Sequence, residues 1–314
     1  MNDRVVVIAG GLSPERDVSL RSGRRVAEEL RSAGFDAQVS DIDAHLLAQL
    51  RDDPPACAIP LVHGAAGEDG SLQEVLTALR VPFVGSNASG CRRAFDKAVA
   101  GSLLEQAGVH FPAAVALPQS MFRDLGATAL LDAIVEQLGL PLVTKPNRGG
   151  SALGVTVVND AGQLPSAMVA AFAYGDVVLI QRHVSGTEIA VSVADLDDGL
   201  TALPPVEIVP DSGLYDYSAR YTAGTTEFFV PARLPDSVIE AACQTALTAH
   251  RALGLGDWSR SDLIVDSQGV PWFLEVNTAP GMTETSLYPQ AVAASEFSMG
   301  ELLSALVGRA AGRD

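Results

Sequence analysis

Two short apolar runs near the end of the chain, Leu263 to Val265 and Pro271 to Val276, are separated only by Asp266-Ser267-Gln268-Gly269. Apolar runs of this length around a turn tetrapeptide predict a β-hairpin. Side chains two residues apart on a strand share a face, which sets Arg260 with Asp262 on one strand and Glu275 with Asn277 on the other. Closing the hairpin gathers Asp262, Glu275 and Asn277 into an oxygen-rich cluster with Arg260 beside it. Oxygen-only donors of this kind suit Mg²⁺, which keeps waters and is usually shared with substrate phosphates. Thr278 to Ser286 follows, a hydroxyl-rich loop through Gly281 whose backbone N–H groups are suited to face a developing negative charge. Taken alone, the stretch fits an edge hairpin with a solvated acidic tip equally well.

At 314 residues the chain exceeds the size at which one core keeps growing, so two or three domains are expected. A formal net charge of −17 argues against a nucleic-acid partner bound through a basic surface and against an anionic membrane. An anionic substrate must therefore meet locally placed Lys and Arg. Cys57, Cys91 and Cys243 have neither metal nor disulfide spacing and read as small buried apolar residues in a reducing cytoplasm. With no signal-peptide pattern and no apolar segment of membrane-spanning length, the expectation is a soluble cytoplasmic protein.

The run Val5-Val6-Val7-Ile8-Ala9 ends in Gly10-Gly11, as a buried parallel strand feeding a glycine turn does, and an amphipathic helix follows to about Ser32. Glu15 stands at this turn, at the carboxyl end of the strand, where open α/β sheets bind ligands. Its alternative role is a charge that stabilises a helix N-terminus. Strands at 37–42 and 56–61 come next, and the second runs into His63-Gly64-Ala65-Ala66-Gly67-Glu68-Asp69-Gly70, which gives His63 a similar position. A helix at 71–80 and a short strand at 81–84 close an N-terminal α/β domain, residues 1–93. A central unit, 94–183, opens with a helix carrying Asp96 and Lys97. It sets Lys145 at a strand end before P-N-R-G-G-S-A-L-G, a point charge beside backbone donors that suits a phosphate, without P-loop spacing. A third unit, 184–314, is entered through Gly186. It holds a polar, Tyr-rich loop at 211–226 read as a lid, a helix at 235–253, the hairpin, and a closing helix at about 290–309.

Taken in order, G-G-L-S-P-E-R-D-V-S-L-R-S-G, H-G-A-A-G-E-D-G, Asp96-Lys97, K-P-N-R-G-G-S-A-L-G-V, Y-D-Y-S-A-R-Y and F-L-E-V-N-T-A-P-G-M-T-E-T-S-L-Y-P resemble the ATP-grasp superfamily. Within it the chain is similar to the D-alanine–D-alanine ligase family, from Gly10 through Pro289. The resemblance implies an α/β protein, α+β in its ATP-binding part, with an ATP-grasp fold of N-terminal parallel-sheet, central and C-terminal domains. It implies ATP and two Mg²⁺ ions (Mn²⁺ as a substitute) as cofactors, D-alanine as substrate, a homodimer and a place in peptidoglycan precursor synthesis. The implied reaction phosphorylates the carboxylate of a first D-alanine, and the amine of a second attacks the acyl phosphate.

By the same resemblance, Lys97, Lys145 and Arg220 go to the ATP phosphates, Glu188 to the ribose, and Gln181, Arg182 and Val184 to the rest of the nucleotide. Asp262, Glu275 and Asn277 go to the metal ions, and Arg260 with the backbone N–H of Gly281 to the oxyanion. Glu15, with His63 nearby, is assigned to the first substrate's ammonium, and Ser151 and Tyr221 are the hydroxyls linked to it. Ser286 and Leu287 are assigned to the second substrate's carboxylate. Five positions depart from the family's usual pattern: Arg16 for His, Ala152 for Ser, Gln181 for Glu, Arg220 for Lys, and Ser261 for an apolar residue. They leave room for an ATP-grasp ligase of a different D-amino acid or D-hydroxy acid in a secondary-metabolite pathway. A nucleotide-binding protein without turnover is a third alternative.

Overall fold

The computed structural model describes residues 3–196, 198–211, 213, 215–222 and 224–313, apart from the side chains of Ser218 and Tyr221. Val5 to Ala9 are completely buried, because β1 (Arg4–Ala9) lies between β2 (Asp36–Asp41) and β3 (Cys57–Pro60), parallel to both. A parallel strand covered on both faces needs a continuous apolar run, which V-V-V-I-A supplies. At Gly10, φ is +95° and a Cβ would lie 2.2 Å from Asp41 Oδ1, so only glycine makes the turn out of β1. Around this sheet run α1 (Arg16–Ser32), α2 (Leu46–Asp52), α3 (Ala65–Glu68), α4 (Ser71–Ala78) and α5 (Ala88–Phe95). The strand expected at 81–84 is reduced to one parallel bridge between Ala58 and Phe83. Pro82 has no N–H to extend a ladder.

The helix expected to carry both Asp96 and Lys97 is interrupted between them. Asp96 is extended (φ −92°, ψ 100°); it ends α5, and its carboxylate caps α6 (Lys97–Gln106) by accepting the Val99 N–H. Lys97 is therefore the first residue of a helix rather than an interior one. The second sheet is antiparallel, in the order β4 (Ala114–Pro118), β7 (Val177–Arg182), β5 (Leu142–Pro146), β6 (Thr156–Val158). With it run α7 (Gln119–Leu125), α8 (Ala127–Leu138) and α9 (Leu164–Phe172), and Phe122, Leu131, Ile134, Leu164, Met168 and Val178 share one core cluster. Position 93 falls within α5, and position 183 just after β7.

The third sheet comprises β8 (Thr187–Leu196), β9 (Gly199–Ala202), β10 (Val206–Pro210), β11 (Thr226–Phe229), β12 (Trp258–Val265) and β13 (Pro271–Asn277). Its order is β11-β10-β8-β12-β13, with β9 on β8. The strand leading into the hairpin starts at Trp258, earlier than its apolar run, because β8 pairs with it from Trp258 to Val265 and holds the polar S-R-S-D segment extended. Within the 211–226 loop lies the short α10 (Tyr217–Tyr221), and α11 (Asp236–Ala252) packs on β8, β12 and β13. The expected closing helix is two helices, α12 (Leu287–Ala293) and α13 (Met299–Ala311), the second started by a reciprocal capping box between Ser298 and Glu301. One apolar core joins the first and third sheets, from Val5, Val7 and Leu30 to Trp258, Tyr288, Leu302 and Leu306. In the same region α1, which follows the glycine turn, meets the loop after β13, where Ser22 accepts the Met282 N–H.

Candidate active site

The hairpin closes in the expected register. Arg260 lies opposite Asn277 and Asp262 opposite Glu275, after which the pairing shifts by a bulge. Two carboxylates directly across a strand pair repel each other unless each has its own cation. Arg260 supplies one, gripping Asp262 with Nε to Oδ1 at 2.7 Å and Nη2 to Oδ2 at 2.9 Å, both side chains buried. Lys97 supplies the other, its Nζ 3.1 Å from Glu275 Oε2 and donating to the Gly149 carbonyl at 2.8 Å. Burial alone raises a carboxyl's pKa, but Lys97, Arg220 and Lys145 overcome it and hold Glu275 below the ordinary carboxylate range. Asn277 Oδ1 accepts the Ala279 N–H at 2.7 Å.

Two adjoining cavities meet at this pair. The first has apolar walls from Val143, Leu153, Val155, Val157, Ile264 and Leu274, and its polar lining includes Lys145, Gln181, Arg182, Glu188 and Asp262, with Val184 also on the wall. Lys145 projects from β5 into it; burial brings its pKa down to about 8, against the pull of Glu275. Glu188 on β8 is pushed up to about 7 by burial, although Arg220 opposes the shift. Gln181 donates to the Pro112 carbonyl at 3.3 Å.

The second cavity is lined by Glu15, His63, Ser151, Arg260, Asn277, Gly281, Ser286 and Leu287, among others. The Ser151 hydroxyl donates to Glu15 Oε1, and burial raises the Glu15 carboxyl above its ordinary value. Ser151 and Ala152 are held in the left-handed region, at φ 52° and 55°, at a cost of about 1–2 kcal/mol each. Ser286 immediately precedes α12, and its hydroxyl accepts the Thr283 N–H at 3.1 Å. Lys97, Gly149, Gly150, Tyr215, Arg220 and Glu275 line both cavities and form the seam between them.

All the sequence-predicted side chains but one fall on these cavities. The exception is Tyr221, whose side chain lies outside those described, while its backbone closes α10. Arg220 stacks 4.5 Å from the centre of the Tyr215 ring and donates Nε to the Tyr215 carbonyl at 3.3 Å. Arg16 lies on neither cavity: it pairs with Asp41 and donates to the Gly11 carbonyl at 2.9 Å. The Ser261 hydroxyl is buried with no partner among the described residues.

Three contributors escaped the sequence reading. Glu68, in α3, accepts the Gly64 N–H at 2.9 Å and is pushed by burial up to about 8, while burial lowers His63 to about 4. His63 Nδ1 lies 3.9 Å from Glu68 Oε1, and burial disfavours the charged form of both groups. Asp96 accepts from Asn147 Nδ2 at 2.8 Å and from Arg148 Nε at 3.1 Å, which ties the glycine turn to the start of α6. Tyr215 is the shelf under Arg220. All three lie in segments that carried the resemblance, H-G-A-A-G-E-D-G, Asp96-Lys97 and Y-D-Y-S-A-R-Y, but what each touches depends on how the chain folds around it.

Three sheets in this order, with two cavities joined by a lysine–carboxylate seam, have the ATP-grasp fold, a ligase architecture. Residues 103–308 match the family described as D-ala D-ala ligase C-terminus. The D-alanine–D-alanine ligase of Anaeromyxobacter sp. (strain K) is 39% identical over 308 residues, covering 98% of this chain and 97% of that protein. Among solved structures, the VanG D-Ala:D-Ser ligase from Enterococcus faecalis is similar with a TM-score of 0.86 at 28% identity, over 98% of this chain and 99% of that one. The D-alanine–D-alanine ligase from Bacillus anthracis complexed with ATP gives a TM-score of 0.80 at 28% identity, over 98% and 96% of the two chains. The chain belongs to the D-alanine–D-alanine ligase family.

Proposed function

We propose that this chain joins two D-alanine molecules into D-alanyl-D-alanine at the expense of ATP, supplying a peptidoglycan precursor. The observation that carries the reading is the seam, where one cavity suited to a nucleotide opens onto another suited to two small zwitterions. In this account ATP fills the first cavity, with Gln181, Arg182 and Val184 along the base, Glu188 at the ribose, and Lys97, Lys145 and Arg220 at the phosphates. A carboxylate oxygen of the first D-alanine attacks the γ-phosphorus and ADP leaves. The second D-alanine, its ammonium having given a proton to solvent, attacks the acyl carbon through the free amine; the tetrahedral intermediate expels phosphate, and the nitrogen loses a second proton to become the amide. No protein nucleophile is needed; placement and charge stabilisation do the work. Arg260 and the Gly281 N–H stabilise the oxyanion. Glu15, oriented by Ser151 and aided by Tyr221 and His63, takes the first ammonium group, while Ser286 and the Leu287 backbone take the second carboxylate.

The donor set fits a hard divalent cation. It contains oxygen atoms only, and its Glu275 carboxylate is held ionised by neighbouring cations. Asp262, Glu275 and Asn277 would hold Mg²⁺, as two ions, or Mn²⁺, which when bound neutralises charge on the phosphoryl oxygens. Such ions complete their shells with phosphate oxygens, so two carboxylates and one amide suffice on the protein side.

ADP release with Mg²⁺-ATP, measured against D-alanine, D-serine, D-lactate and the L-amino acids, tests the reading. D-serine belongs in the panel because one structural relative is titled a D-Ala:D-Ser ligase. Turnover with D-alanine alone is the expected result. Turnover confined to another pair would replace D-alanine as the substrate.

A further inference from the structure

Helix α1 carries a polar stripe on its buried side. Glu15 caps the helix, and Ser19 and Ser22 follow four and seven residues on, a spacing that keeps all three on one face over two turns. Both serines are completely buried. Ser19 accepts the Gly10 N–H at 2.8 Å and donates to the Leu61 carbonyl at 2.6 Å, joining the ends of β1 and β3. Ser22 reaches a distant part of the chain and accepts the Met282 N–H at 3.0 Å. Arg25, on the next residues of the same helix, donates to the Met282 carbonyl at 3.4 Å. Both backbone polar groups of Met282 are thus held by α1.

Gly281, immediately before, lines the substrate cavity. Among the described residues its N–H donates to no protein acceptor, whereas the Thr283 N–H is taken by Ser286. A Cβ at Gly281 would lie 2.9 Å from Ser286 Oγ, so the Ser286 side chain packs closely against this point of the loop. Asn277 Oδ1 accepts the Ala279 N–H at 2.7 Å, Pro280 has a fixed φ, and Ser22 holds the Met282 N–H, so the backbone on both sides of Gly281 is anchored and the range of directions open to its free N–H is narrowed. We infer that Ser22 is a positioning residue: it clamps the Met282 amide to α1, so that the Gly281 donor and the Glu15 carboxylate are held at a fixed separation by one rigid helix. The inference rests on the oxyanion role proposed above for Gly281.

Ser22→Ala removes one oxygen and leaves the Met282 N–H buried without a partner. It is expected to lower kcat about ten- to hundredfold while KM for ATP stays within about twofold, because only the oxyanion donor is misplaced. Val26→Ala on the same helix removes packing from the core that Met282 also joins, and leaves both hydrogen bonds to the Met282 backbone in place. It is expected to lower Tm at least as much while leaving kcat within about twofold of the wild type. If Ser22→Ala loses no more kcat than Val26→Ala at the same loss of Tm, Ser22 is a structural residue only and the inference is overturned. A second measurement does not depend on turnover: the Met282 amide should exchange with solvent at least about tenfold faster in Ser22→Ala than in the wild type. Unchanged exchange overturns the clamp even in an active enzyme. Faster exchange in a chain that turns over no D-alanine keeps the clamp and removes the reading on which its catalytic consequence rests.

Discussion

Glu275→Gln is expected to reduce kcat by about a hundred- to a thousandfold, which corresponds to several kcal/mol of lost charge stabilisation. The substitution keeps the shape of the side chain and removes only its charge. Glu275 faces Lys97 at 3.1 Å and lies at the seam of both cavities. Its negative charge is also the main influence raising the Lys145 pKa against burial, so the amide weakens that cation as well. Thermal stability should fall as well, because a carboxyl held below its ordinary range adds stability in its ionised form and buried Lys97 loses its partner; relief of the like-charge opposition to Asp262 across the hairpin offsets only part of this. Steady-state kinetics at saturating ATP and D-alanine, with a melting curve on the same preparation, checks both halves. Near-normal turnover would remove the metal assignment.

The second large effect concerns Arg260. Arg260→Ala leaves the Asp262 carboxylate, 3% exposed, without its bidentate partner. Breaking a buried pair from one side costs about 3–5 kcal/mol, so the variant should unfold at much lower denaturant concentration. It should also lose about a hundred- to a thousandfold in kcat, the usual consequence of deleting an oxyanion donor. The double variant Arg260→Met with Asp262→Leu separates the two effects. Replacing both charges with apolar groups of similar size recovers most of the stability and none of the turnover. A double variant that recovered activity would mean the pair serves the fold alone.

Much of the site was legible because its parts lie in short-range patterns. The hairpin register followed from the two apolar runs and the Asp266–Gly269 turn, and register alone sets Asp262 opposite Glu275. The first strand was legible for a similar reason: a continuous apolar run ending in glycine has few structural uses. The break between α5 and α6 was not: Asp96 caps α6 through the local Val99 N–H, but its carboxylate is also held by Asn147 and Arg148, some fifty residues later, which no local pattern shows. Strands β9 and β11, G-L-T-A and T-E-F-F, lack a clear alternation and form because β8 and β10 offer them edges. The opposite shifts of His63 and Glu68 come from burial, and no spacing in the sequence announces it. The contact between Ser22 and Met282 spans nearly the whole chain, so S-L-R-S-G reads as ordinary helix until the fold closes.

In the proposed reaction a carboxylate oxygen of the first D-alanine is phosphorylated at the seam between the two cavities. D-alanine labelled with oxygen-18 in its carboxyl group tests this directly, with the released inorganic phosphate analysed by mass spectrometry. One labelled oxygen in each phosphate, formed in step with D-alanyl-D-alanine, is the predicted result. Peptide formed with unlabelled phosphate would contradict an acyl phosphate, and with it the roles given to Lys97, Lys145 and Glu275.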